Sequence, residues 1–179
     1  MQMTINDLFN RPIEINKPIR LIELFGGIGS QAMALRNIGA KFEHYRLVEF
    51  DKYPVASYNA IHGTEFVPMD IREVHAKDLG IQDTKRFTYL LTYSFPCQDL
   101  SLAGKQRGMT KGTGTRSLEC WRLMGFTDED FYKAEAVNSN TQLYKQAGNS
   151  IVTNCLEAIM SQMNIEGVKP WNEKIKENV

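Results

Sequence analysis

The run Ser94-Phe95-Pro96-Cys97-Gln98 carries a thiol in a setting suited to nucleophilic chemistry. It follows an apolar stretch (Phe87, Tyr89, Leu90, Leu91, Tyr93) that reads as a buried strand. The loop past the carboxyl end of a strand is where open α/β sheets hold their ligands. Gln98, Ser101, Ala103, Gly104 and Arg107 continue as a polar, glycine-containing loop able to close over a bound molecule. Free cysteines are often plain packing residues, but this position favours a nucleophile over a core filler.

A second group lies upstream. Glu23-Leu24-Phe25-Gly26-Gly27-Ile28-Gly29-Ser30 is a glycine-rich turn after a short apolar run. Gly27, Gly29 and Ala32 fit the spacing G-x-G-x-x-A, and Glu49 stands twenty residues past Gly29. An acid at the end of a second strand can accept hydrogen bonds from both ribose hydroxyls. Asp70, at the end of a third, can accept from an adenine amino group. Glycine turn, ribose acid and base acid at successive strand ends describe a nucleoside site. The spacing suits both a dinucleotide, with its pyrophosphate on the first helix, and S-adenosylmethionine. The thiol loop favours the second, because hydride transfer needs no such group.

The elements that must position these groups alternate. Ile19 to Phe25 reads as a strand, and Ser30 opens a helix carrying Ala32, Met33, Leu35 and Ile38 that Gly39 ends. Tyr45 to Phe50 is a second strand, Tyr53 to His62 a second helix closed by Gly63, and Glu65 to Pro68 a brief third strand. The fourth spans 87–93. This order predicts an α/β fold with a parallel sheet flanked by helices. Residues 105–117 form a basic, glycine-rich loop; Leu118 to Phe126 is a short helix, and Asp128-Glu129-Asp130 opens another turn. Ile151 to Met163 is an amphipathic helix introduced by Gly148-Asn149-Ser150. Trp121, Met124 and Phe126 belong to the core, and Arg122 pairs with nearby acids. The organisation expected is a polar arm over 1–18, one domain over 19–163, and a frayed polar tail over 164–179.

Composition narrows the class. The chain has 179 residues, 42% hydrophobic and 23% charged, which suits one soluble domain. Lys and Arg number 21 against 21 Asp and Glu, so no net positive charge marks it for nucleic acid, though a local patch is compatible. Cys97, Cys120 and Cys155 fit no zinc spacing and no disulfide scaffold; the last two are expected to be buried and inert in a reducing, cytoplasmic setting. No signal peptide is visible, and no run approaches the ~18 apolar residues of a membrane span. His44, His62 and His75 show no metal-ligand or triad pattern, which argues against a thiol hydrolase.

Taken together, the motifs resemble the DNA cytosine-5 methyltransferase family. The matching segments are Leu24-Phe25-Gly26-Gly27-Ile28-Gly29-Ser30, Glu49-Phe50-Asp51-Lys52-Tyr53, Asp70-Ile71, Phe95-Pro96-Cys97-Gln98 with Ser101 and Ala103-Gly104, Glu119-Cys120-Trp121-Arg122-Leu123-Met124-Gly125-Phe126, and Gln146-Ala147-Gly148-Asn149-Ser150-Ile151-Val152. They run in family order. The resemblance implies a Rossmann-like S-adenosylmethionine-dependent methyltransferase fold. It implies DNA as partner, with the target cytosine flipped from the duplex. Cys97 would then be the nucleophile, Pro96 would fix the approach to it, and Gln98, Ser101 and Arg107 would lie in the loop that closes on DNA. Phe25, Gly27, Gly29 and Ser30 would line the methionine end of the cofactor. Glu49 and Phe50 would hold the ribose side, Asp70 and Ile71 the adenine, and Asn149 and Ser150 would close the pocket. No metal is implied.

The chain departs from the family at one point. Thr113-Gly114-Thr115-Arg116-Ser117 resembles the start of the segment after the cysteine loop, yet Leu118-Glu119-Cys120-Trp121 resembles one that normally comes far later. At the 117–118 junction the family's Glu-Asn-Val motif, an arginine-bearing strand, further sheet strands and the target-recognition domain are missing. The terminal Glu177-Asn178-Val179 repeats those letters but follows the polar Lys174-Ile175-Lys176, so it is read as coincidence. Three readings stand: a methyltransferase needing a homodimer or complementing polypeptide, a non-catalytic cofactor-binding remnant or interaction module, and an engineered internal deletion. Loss of strands should also leave the fourth strand as an exposed sheet edge.

Overall fold

The computed structural model describes residues 14–93 and 117–169. Three parallel strands form its sheet: β1 (Ile19–Leu24), β2 (Phe42–Val48) and β3 (Thr88–Tyr93), in the order β2-β1-β3. Helix α1 (Ser30–Asn37) connects β1 to β2, and α2 (Lys52–His62) follows β2. After the undescribed segment come α3 (Ser117–Leu123), α4 (Asp128–Glu135), α5 (Asn140–Asn149) and α6 (Thr153–Met160). This is a truncated Rossmann-like arrangement, a short parallel sheet flanked by helices.

The local causes are legible. β1 is the central strand, so its Ile19, Leu21 and Ile22 are all buried, as a strand covered on both faces requires. Its pairing with β2 slips between Leu21 and Ile22, where His44 and Arg46 are the successive partners and Tyr45 is left over. Asp51 caps α2 by accepting from Tyr53 N at 3.1 Å, and Gly63 ends it in the left-handed region. Thr127 and Asp130 form a reciprocal capping box at the start of α4.

Two apolar cores meet at α1. One joins Ile19, Leu21, Leu35, Leu47, Val55 and Tyr58 to Met160 of α6. The other joins Met33 and Ile28 to Trp121, Phe126, Phe131 and Leu143. The C-terminal helices therefore pack directly on the N-terminal half, α6 on α1 and α4 on α2, while α5 packs on α3. Polar ties reinforce this. Arg36 donates to both carboxylate oxygens of buried Asp130 at 3.0 and 2.8 Å, and Asn37 donates to Glu157 at 2.8 Å. Arg122 grips Asp128 through two bonds.

Several expectations are corrected. Residues 65–68 form no strand. The side chain of Asn59 bonds Phe66 N at 2.9 Å and Phe66 O at 2.8 Å, replacing ladder partners, and Pro68 has no donor to offer. A helix missing from the sequence reading, α5, carries the residues expected to introduce the last helix. That last helix begins only at Thr153. The arm and tail are tied at their inner ends: Ile15 and Ile165 are buried and bridge to each other. β3 is not a buried strand. Leu91 and Tyr93 are exposed, and among the described residues β3 pairs only with β1. Cys155 is exposed and Cys120 half-buried, because α6 turns Thr153, Glu157 and Met160 inward and leaves Cys155 on the opposite face.

Trp121 is fully buried, stacks edge-on with Phe126 and Phe131, and donates from Nε1 to Leu143 O at 3.0 Å. Trp121→Ala should cost about 3–5 kcal/mol. Urea unfolding of the variant against the wild type measures it, and a loss below 1 kcal/mol would show that the second core is not cooperative with the first.

Candidate functional site

The turn after β1 is built under backbone constraint. Phe25 has a φ of 56°, in the left-handed region that non-glycine residues seldom occupy, and its amide donates to Val48 O at 2.7 Å. Gly29 follows at φ 84°; a Cβ there would lie 2.7 Å from Tyr58 Cε2, so only glycine lets α1 start this close to α2. Gly27 also has positive φ, but with nothing within 4 Å of its would-be Cβ. The loop backbone thus faces open space at Gly27 and is packed tight at Gly29.

That open space is a cavity of about 510 Å³, within the usual ~300–1,000 Å³ of small-molecule sites. Phe25, Gly27 and Ser30 line it from the glycine turn, and Glu49 and Phe50 from the end of β2. Asn149 and Ser150 line it from the end of α5 and the turn after. Gly29 lies behind the lining. Asp70 and Ile71 are not among the lining residues. Asp70 caps the short 3₁₀ turn Ile71–Glu73 and pairs with Arg72; Arg72's hydrogen bonds hold its carboxyl down at about 2. The Met69 amide donates to Glu49 O at 2.8 Å, so this segment still abuts the Glu49 corner. Pro96, Cys97, Gln98, Ser101 and Arg107 lie outside the described residues.

Glu49 organises one wall. Its Oε2 accepts from Gly27 N at 3.2 Å and its Oε1 from Asp51 N at 3.0 Å, joining the glycine turn to the start of α2. A carboxylate has about four acceptor positions, so each oxygen keeps capacity for a ligand hydroxyl. The opposite wall comes from α5. Lys145 pairs with Asp51 at 3.0 Å, Ile151 N donates to Ser30 Oγ at 3.3 Å, and Gln146 is buried against α2. Lys145 and Gln146 are lining residues that sequence reasoning gave no role. A buried glutamine on a helix is informative in itself, but α5 had first to be recognised as a helix.

Beneath the turn lies a second group the sequence did not flag. Glu23, on the central strand, is fully buried. It accepts from Ala32 N at 3.3 Å and from Tyr58 Oη at 2.5 Å, and Tyr58 Oη also meets His44 Nδ1 at 2.8 Å. Burial raises the Glu23 carboxyl from 4.5 to about 7, partly offset by the two hydrogen bonds. Burial lowers both His44 and His62, the latter to about 3. The chain works in either protonation state. Ionised Glu23 accepts from Tyr58, which accepts from His44. Protonated Glu23 donates to Tyr58, which donates to His44. Among the described residues no cluster of three or more His, Cys, Asp or Glu is arranged to hold a metal. No helix among them is long and apolar enough to cross a membrane.

Fold and cavity define the class: a Rossmann-like α/β domain of methyltransferase type with a cavity at the carboxyl ends of β1 and β2. The family model for C-5 cytosine-specific DNA methylases matches residues 19–118 and again 115–164, and the chain belongs to this family. The orphan methyltransferase M.Rho11sI of Bacillus phage rho11s is 36% identical over 99 residues, covering 54% of this chain and 18% of the relative. The type II methyltransferase M.NlaX of Neisseria lactamica is 29% identical over 160 residues, 88% of this chain and 46% of the relative. The orphan methyltransferase M.SssI of Spiroplasma monobiae is 24% identical over 212 positions, 89% of this chain and 52% of the relative. That alignment is longer than the 179-residue chain, so the relative carries residues inside the matched span that this chain lacks. The two matched stretches overlap at 115–118, where the sequence motifs also jump. The chain spans about half the length, or less, of these relatives. No solved structure gives a significant match.

Glu23 gives a pH signature. A folded-state value raised above the unfolded one favours folding below about pH 4.5, and the advantage is lost as pH rises through about 7. The lowered histidines act oppositely below 6.5, so the informative quantity is the difference between wild type and Glu23→Gln. Gln mimics the protonated carboxyl, donating to Tyr58. Between pH 5 and 8 the variant should gain up to about 3 kcal/mol relative to wild type. Denaturant unfolding at both pH values measures this; a pH-independent difference would show that Glu23 does not titrate in that range.

Proposed function

We propose that this chain is the catalytic and cofactor-binding part of a DNA cytosine-5 methyltransferase, and that its cavity takes S-adenosylmethionine. The observation that carries this is the joint construction of the cavity by the glycine turn, the Glu49–Phe50 corner and the α5–α6 turn. Those are three of the segments that carry the family likeness. The residues fit such a ligand. Glu49 has acceptor positions for a ribose diol, Phe50 presents a largely exposed ring for stacking against a purine, and the space before Gly27 admits close approach to backbone.

When bound, S-adenosylmethionine supplies an electrophilic methyl group. The Cys97 thiolate adds to cytosine carbon 6, which makes carbon 5 nucleophilic towards that methyl. Attack of carbon 5 on that methyl would break its bond to sulfur and leave S-adenosylhomocysteine, and removal of the carbon 5 proton by a base would then expel Cys97 as its thiolate and restore the ring. By the family likeness, Pro96 would fix the approach to Cys97, and Gln98, Ser101 and Arg107 would act in DNA contact. Asp70 and Ile71 do not line the cavity, so an adenine-side role for them would require Asp70 to leave Arg72. The family's Glu-Asn-Val glutamate, which would stabilise charge on the ring, has no counterpart around 117–118. One preorganised group of this kind is often worth ~10²–10³ in rate. The target sequence would be read by a second polypeptide.

Calorimetric titration with S-adenosylmethionine tests the cofactor half. The wild type should bind, and Glu49→Ala should lose at least tenfold in affinity; a folded wild type that does not bind would overturn the reading. Methylation of duplex DNA by the chain alone should be weak or undetectable. Robust tritiated methyl transfer that vanishes in Cys97→Ala would contradict the need for a partner. Among the described residues β3 keeps one unpaired edge, the proposed pairing surface for a second copy. Light scattering at increasing concentration should show dimer, and a monodisperse monomer at high concentration would count against it.

A further inference from the structure

The residues that lead into the three strands are basic: Lys17 before β1, Lys41 before β2, and Lys85 and Arg86 before β3. The register pairs Ile19 with both Phe42 and Thr88, so these residues share the amino-terminal edge of the sheet. All of them are exposed, as is Arg46 on β2. This edge lies at the opposite end of the strands from the cavity, roughly 20 Å away along the six residues of β1.

A stack of side chains holds this charge in place. The Arg20 guanidinium lies 3.6 Å from the centre of the Phe87 ring and 4.5 Å from that of Tyr45. Arg86 lies over the same Phe87 at 5.0 Å, and Arg46 over the same Tyr45 at 4.7 Å. Each ring thus carries two guanidiniums. The surface therefore presents cations rather than bare ring faces on which single-stranded bases could stack. Glu43 pairs with Arg20, and Asp78 is engaged by His75; Asp83, in the turn before Lys85, is a third acid nearby. Arg46 and Lys17 bond instead to backbone carbonyls, those of Asp78, Tyr45 and Thr84, which leaves their charges uncompensated. Among the described residues no carboxylate forms an ion pair with Lys17, Lys41, Arg46, Lys85 or Arg86.

We propose that this edge is a nucleic-acid contact separate from the cavity: a sequence-independent site for the phosphate backbone of duplex DNA. Exposed cations with N–H donors to spare suit phosphate oxygens, and each contact releases condensed counterions from the duplex. The chain's balance of 21 basic and 21 acidic residues conceals the patch, with Glu49 and Asp51 standing past the other end of β2. The site adds affinity for DNA that depends on neither the target base nor S-adenosylmethionine.

The test is fluorescence anisotropy of a labelled duplex made only of A·T pairs, titrated with the full chain at several salt concentrations. Such a duplex offers no cytosine, so the outcome is independent of the methyltransferase reading. The wild type should bind, more weakly as salt rises. A variant combining Lys17→Gln, Lys85→Gln and Arg86→Gln should lose about tenfold or more in affinity at low salt, with a circular dichroism spectrum like that of the wild type. Its slope of log affinity against log salt should fall by about one for each phosphate contact removed. Arg46→Gln alone should show a smaller loss of the same kind. Lys133→Gln, which removes a surface cation on α4, should change neither quantity. No binding by the wild type, wild-type affinity and slope in the combined variant, or an equal loss in Lys133→Gln would overturn the site. So would polyglutamate displacing the probe as well as unlabelled duplex does, which would mark the edge as a surface for an acidic polypeptide.

Discussion

Helix α1 is buried on both faces, and the rest of the molecule is arranged around that fact. Six of its eight residues, Ser30 to Leu35, are buried. Leu35 and the two alanines feed the core against the sheet, while Met33 feeds the core made by α3, α4 and α5. With Ala32, Met33, Ala34 and Leu35 pointing in successive directions round the helix, both sides have to be covered. The N-terminal βαβ unit can cover one side only, so the segment after residue 116 has to supply the other. That requirement brings α5 and the turn after it over the glycine loop, and the cavity is what lies between.

Because the cavity is formed by docking, its polar groups come in pairs drawn from the two halves. Lys145 meets Asp51, Gln146 meets Ser57, and Ile151 meets Ser30. Each fixes the α5 wall to the βαβ unit without filling the space. The unfavourable backbone at Phe25, of order 1–3 kcal/mol, is held by the same packing and by its bond to Val48 O. Beneath it, Glu23 anchors the first turn of α1 from the central strand. The site thus rests on a carboxyl that burial penalises when charged and that Tyr58 and His44 accommodate in either state.

The family match breaks at 115–118, yet the residues after the break still dock where they complete the site. The core around Trp121, Phe131 and Leu143 is closed by Ile28, Met33 and Ile61 from the N-terminal half. What the break does leave is the β3 edge, with Leu91 and Tyr93 exposed.

Sequence alone determined the features that act locally. The strands at 19–25 and 87–93, the helix after Gly29, and the pairing of Gly27 with Glu49 follow from hydrophobic period, capping chemistry and motif spacing, while Phe50, Asn149 and Ser150 came from the family resemblance. Cys97 was singled out in the same way. Tertiary structure decided what depends on distant partners. Residues 65–68 are held by Asn59 instead of a ladder, α5 is stabilised by packing on α3, and Asp70 is engaged by Arg72 rather than facing the cavity. The roles of Glu23, Tyr58 and Gln146 also lie there. A buried polar group is defined by what surrounds it, and those neighbours are dozens of residues away along the chain.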